Sequence, residues 1–88
     1  MYLGKVIGNI VSTSKQEGLT GFKLLIVSEL NEREQETGRT EIAVDTVGAG
    51  CGETVIVSKG SSARNAEGLS KVPADAAIVG IVDTVELL

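Results

Sequence analysis

The chain has 88 residues, 42% of them hydrophobic, with 11 glycines, one each of proline, tyrosine, phenylalanine and methionine, and neither tryptophan nor histidine. A single domain over residues 1–88 is expected at this length, but so short a chain buries only about 60% of the surface its unfolded form exposes, and with only two aromatics its core is a small volume of Val, Ile, Leu and Ala, so burial between copies is expected to supplement it. A formal charge of −4 repels phosphate backbones and anionic headgroups, and the lone Cys51 excludes the disulfide framework of a small secreted domain, which points to a reducing cytosol.

The first apolar stretch carries Lys5, has no basic region ahead of it, and no later run approaches about 18 residues, so neither a signal peptide nor a membrane span is expected. Short runs rich in Val and Ile, separated by glycine or charged clusters, predict several strands and few helices. The first strand is expected from Tyr2 to Ser12, bent or bulged at Gly4 and Gly8. Lys15 to Gly21 reads as a loop. A second strand follows from Phe22 to Leu30, with Phe22, Leu24, Ile26 and Leu30 on one face and Lys23 and Glu29 marking the wetter one.

The charged run Asn31 to Gly38 reads as an exposed hairpin tip. A third strand from Arg39 to Thr46 sets Ile42 and Val44 opposite Glu41, Ala43 and Asp45. The apolar loop Val47 to Gly52 leads into a fourth strand from Glu53 to Ser58. Gly60 to Gly68 offers a serine N-cap, two alanines and a terminal glycine, which predicts one or two turns of helix. The last strand, Ala76 to Val85, is almost wholly apolar up to Asp83, as for a strand covered on both faces. Together these elements predict a mainly β fold, a small five-stranded OB-like barrel with one short helix before the last strand, because closure removes the edges an open sheet would present.

Few residues suggest chemistry. The loop Gly48-Ala49-Gly50-Cys51-Gly52 could cradle an anion with successive amides, but it runs into a strand rather than opening a helix and lacks the Gly-Lys-Ser/Thr of a Walker loop, so a structural turn is the better reading. Asp45, Glu53, Asp75 and Asp83 adjoin apolar residues where a carboxylate could titrate unusually, yet no histidine is present to serve as an ordinary base. They are expected to accept backbone hydrogen bonds in turns, or to pair with Arg64 or with a lysine of another subunit. One cysteine and no calcium-loop spacing exclude a metal site and leave Cys51 as a small apolar residue. Oligonucleotide binding on an OB-like barrel needs aromatic and basic residues on a shared face, whereas Tyr2 and Phe22 are the only rings and Lys5, Lys23 and Lys59 are diluted by acids. No enzyme activity and no cofactor is expected.

The runs Val44-Asp45-Thr46-Val47-Gly48-Ala49-Gly50-Cys51-Gly52-Glu53-Thr54-Val55, Gly60-Ser61-Ser62-Ala63-Arg64 and Pro73-Ala74-Asp75, with Ile78-Val79-Gly80-Ile81-Val82-Asp83, resemble the EutN/CcmL family of bacterial microcompartment shell proteins. The opening run Gly4 to Thr13 is similar to that family's first strand, and the variable part is the acidic hairpin. The resemblance implies a five-stranded barrel subunit, a homopentamer, and a place in the cytoplasm at the vertices of a polyhedral shell, beside hexameric shell proteins. It also implies that Asp45, Gly48, Ala49, Gly50, Gly52 and Glu53 lie around a central opening and the subunit contacts, with Ser61, Ser62 and Arg64 on a second shared motif at an interface. The alternative is a small OB-like module that binds a ligand or a partner protein outside any shell.

Overall fold

The computed structural model describes residues 1–12, 17–19, 21–60 and 74–88. Five strands form: β1 (Tyr2–Ile10), β2 (Lys23–Leu30), β3 (Glu36–Asp45), β4 (Thr54–Lys59) and β5 (Ala76–Val82), with a single 3-10 turn at Glu17–Leu19. They close into a barrel in the order β1, β2, β3, β5, β4. All neighbours are antiparallel except β3 and β5, which run parallel where Val44 faces Ala77 and Asp45 faces Ile78. Closure leaves no free edge, the arrangement expected from so many short strands in so short a chain.

Two layers of apolar side chains follow from the twofold alternation of the strands. The interior holds Val6, Leu25, Val27, Ala43, Val55, Val57, Ala76 and Ile78, with Ala49 closing the floor and Tyr2 packed at the opposite end. A smaller cluster outside the barrel gathers Val44 and Ala77 under Leu19, Phe22, Leu24, Ala74 and Val79. Small interior residues are what the narrow lumen admits: a Cβ on Gly4 would overlap Val27 Cγ1, so that position requires glycine. The pairing of β1 with β2 slips between Val6 and Gly8, which is the bulge anticipated from the glycine spacing.

The face expected of β2 is reversed. Leu25 and Val27 point into the core, while Leu24 and Ile26 are half-buried on the outside and Lys23 belongs to the inward-facing set at its end. Leu24-Leu25-Ile26-Val27 is apolar on both faces, so alternation fixes two sets of residues but not which one closure turns inward. Leu30 is buried nonetheless, because the pairing with β3 slips between Ser28 and Leu30. In β3 the predicted alternation holds, and Ala43 is on the inward side, leaving Ile42 54% exposed.

Strand ends shift by a few residues. β3 begins at Glu36, so the hairpin tip is shorter than the charged run. Asn31 Oδ1 accepts hydrogen bonds from the Arg33 and Gln35 amides there, and Glu34 takes a positive φ of 60°. β5 ends at Val82 and only Ala76, Ala77 and Ile78 are fully buried, so its second half is not covered on both faces. Beyond Gly60, the predicted helix, with Ser61, Ser62 and Arg64, lies outside the described residues.

Candidate functional site

The loop between β3 and β4 closes one end of the barrel. Asp45 ends β3 on the inward side, with its side chain only 2% exposed. Its Oδ1 accepts the amides of Val47 and Gly48 at 3.1 Å each, and its Oδ2 accepts the amide of Ala49 at 2.9 Å. Glu53 Oε1 takes the Gly50 amide at 2.6 Å, and the Gly52 amide donates to the Val6 carbonyl at 2.7 Å. Thr46 Oγ1 donates to the Ile78 carbonyl at 2.7 Å, and Lys23 Nζ donates to the Ala49 carbonyl at 3.2 Å. Gly48 and Gly52 hold φ of 79° and 88°, a left-handed backbone that an L side chain rarely adopts.

This accounting decides against anion capture. A phosphate cradle needs several free amides converging on one point, and here the amides of Val47, Gly48, Ala49 and Gly50 are spent on two of the chain's own carboxylates. The arrangement is a rigid cap, tied to three strands and plugged by the fully buried Ala49.

At the opposite end, a cavity of about 300 Å³ is lined by Tyr2, Glu29, Arg39, Thr40, Glu41 and Lys59. Tyr2 donates its hydroxyl to Glu41 Oε1 at 2.6 Å, and Lys59 Nζ bonds the other Glu41 oxygen. Lys59 also lies 3.8 Å from Asp75 Oδ2. Burial, then the hydrogen bond and charge of Glu41, hold the Tyr2 hydroxyl well above its ordinary range of ionisation. The hydrogen bond to Glu41 likewise raises Lys59. Asp45 and Glu53 therefore sit at one end and Asp75 at the other, each engaged, while Asp83 is exposed after β5. Glu29 and Glu41 both line the cavity, but Glu29 accepts the Thr37 hydroxyl and Glu41 accepts from Tyr2 and Lys59, and among the described residues no group of three or more His, Cys, Asp or Glu side chains could hold a metal. Cys51 is exposed at the loop tip rather than buried as an apolar residue.

Residues 1–83 match the family described as "Ethanolamine utilisation protein EutN/carboxysome". The chain belongs to the EutN/CcmL family. It is 63% identical over 86 residues to the bacterial microcompartment shell vertex protein GrpN of Rhodospirillum rubrum, covering 98% of this chain and 97% of that protein. It is 51% identical over 87 residues to the carboxysome shell vertex protein CcmL of Synechocystis, covering 99% and 87%. The solved structure of the GrpN pentameric microcompartment shell protein superposes with a TM-score of 0.91 at 61% identity, covering all of both chains.

For a member of this family, the loop found by sequence is the part the structure explains most fully: Asp45, Gly48, Ala49, Gly50, Gly52 and Glu53 form one hydrogen-bonded unit. Gly50 is not hemmed in by the subunit's own backbone. Within the subunit a Cβ there would meet nothing nearer than Glu53 Oε1 at 3.5 Å, an ordinary contact. The Tyr2, Glu41 and Lys59 network was not foreseen. Its signal was present, since Glu41 shares the inward parity of Ala43 and a carboxylate at a barrel mouth requires donors.

Proposed function

We propose that this chain is a structural shell protein whose homopentamer fills the vertices of a bacterial microcompartment in the cytoplasm, with the whole chain, residues 1–88, acting as one domain. The observation that carries this reading is the 61% identity and full-length superposition on a protein whose structure is that of a pentameric shell protein. A ring of fewer members than the facet units supplies curvature that flat hexagonal layers lack, so the flanks of the ring are proposed to meet hexameric shell proteins. In that ring the loop Gly48 to Gly52, with Asp45 and Glu53, is proposed to face the central opening and the subunit contacts. Ser61, Ser62 and Arg64 are proposed to contribute an interface, with Arg64 pairing across it.

The reading includes no chemical step, cofactor, nucleic acid or membrane partner. Its support is a net charge of −4, the absence of histidine, and carboxylates engaged with backbone amides or lysine. No helix among the described residues is long and apolar enough to cross a membrane.

Native mass spectrometry should give five subunits per particle over a wide concentration range; a monomer or dimer throughout would overturn the reading. In cells, removing every protein of this type should leave the enclosed enzymes active in extract and the shells elongated or open by electron microscopy. Regular closed shells in such a strain would refute the vertex role.

A further inference from the structure

The outer surface of the barrel carries an apolar row that the subunit itself does not cover. Gly8, Ile26 and Ile42 are register partners across β1, β2 and β3, and Ile7 stands beside Gly8 at the bulge. Ile7 is 49% and Ile42 54% exposed. Lys5 lies next along β1, exposed and without an ion-pair partner among the described residues. The last six residues, 83–88, follow β5 outside the sheet and are the converse: Leu87 is 53% exposed and Leu88 fully open to solvent beside the exposed Asp83 and Glu86, and neither acid forms an ion pair among the described residues.

The positions of the two patches decide how they can meet. The barrel order β1, β2, β3, β5, β4 sets β2, the centre of the apolar row, across the barrel from the β5 and β4 pair where the final segment leaves. Both patches lie toward the end closed by the loop after β3: Ile42 is three residues before Asp45, and Val82 pairs with Thr54 at the start of β4. Two different, complementary patches on opposite sides and near one level make a head-to-tail contact, which closes into a ring when the rotation allows.

Resting on the ring proposed above, we infer that residues 83–88 are the arm by which each subunit grips the next. Leu87 and Leu88 of one copy cover the face formed by Ile7, Ile26 and Ile42 of its neighbour, with Glu86 toward Lys5. The occupant of that face is a second copy of this chain.

Two measurements test this. In a Cys51→Ala background, Ile42→Cys together with Leu87→Cys should give, on oxidation, a ladder of covalent species up to five subunits on a non-reducing gel. A five-subunit particle that yields no ladder would overturn the arm while leaving the ring standing, whereas a monomeric parent would overturn the ring itself. Separately, Ile42→Glu and the pair Leu87→Asp with Leu88→Asp each alter exposed positions and should leave the circular dichroism of the subunit unchanged. Each should dissociate at concentrations about tenfold or more above those at which the parent does. Mixed together, the two variants retain one intact arm and one intact face per pair, and should form heterodimers rather than rings. Variants as resistant to dilution as the parent would refute the contact.

Discussion

Asp45→Asn changes one oxygen to an amide with almost no change in volume, at the best-connected side chain of the loop. In the parent, Oδ1 serves the Val47 and Gly48 amides and Oδ2 serves the Ala49 amide. The asparagine can keep its remaining oxygen on the first two, but its NH₂ group then opposes the Ala49 amide, donor against donor. Ala49 is fully buried, so water cannot substitute. Leaving that amide unsatisfied costs about 1–3 kcal/mol, and the two retained bonds lose their charge assistance, which makes about 2 kcal/mol the expected total. The opposite rotamer is worse, since it breaks two bonds. Lys23, 3.9 Å from Oδ2 and with its side chain 61% exposed, adds little that could be lost. For a domain of this size about 2 kcal/mol lowers Tm by roughly 8–16 °C. Calorimetry or chemical denaturation at one fixed protein concentration measures this, because a ring makes stability depend on concentration. Asp45→Ala should cost more, about 3 kcal/mol, since all three amides lose their acceptor. An asparagine variant within about 0.5 kcal/mol of the parent would refute the claim that the carboxylate holds the loop.

At the other end of the barrel, Tyr2 and Lys59 both lose their protons at higher pH in the folded chain than in the unfolded one. Their stabilisation is present below about pH 10 and is lost as pH rises above it, so denaturation midpoints should fall on the alkaline side, less steeply in Tyr2→Phe; a flat profile between pH 9 and about 11.5 would contradict the network. Gly4→Ala places a methyl against Val27 at the centre of the core and should cost about 1–3 kcal/mol, read as a fall in Tm with the barrel's circular dichroism retained. A Cβ at Gly50 makes only an ordinary contact with Glu53 inside the subunit, so the effect of Gly50→Ala should fall on the ring: native mass spectrometry should show dissociation where the subunit's own spectrum is unchanged, and an intact ring would place the loop tip away from subunit contacts.

Much of the barrel was legible in residue order. Runs of Val and Ile punctuated by glycine fix where strands exist, and the Asp45 to Glu53 run carried both the family and the loop that proved to be the best-tied part of the chain. The expectation that carboxylates there accept backbone hydrogen bonds held for Asp45 and Glu53, and Asp75 found its lysine in its own chain as Lys59 rather than in another subunit. Less legible were the ends of elements. β5 stops at Val82, short of the expected end at Val85, because β4 provides partners only as far as Thr54.

By itself the sequence determined that alternation divides each strand into two sets of side chains, that glycine is needed at the turns, and that the interior is aliphatic. It did not determine which set of β2 faces inward, because Leu24 to Val27 are equally apolar on both sides and only closure against β1 and β3 selects Leu25 and Val27. Nor could it bring Tyr2, Glu41 and Lys59 together, since they lie on three strands and meet only where the barrel's shear brings one end of each to the same mouth. Local chemistry is written along the chain. Contacts between residues 39 positions apart, such as Tyr2 and Glu41, belong to the register of the closed sheet.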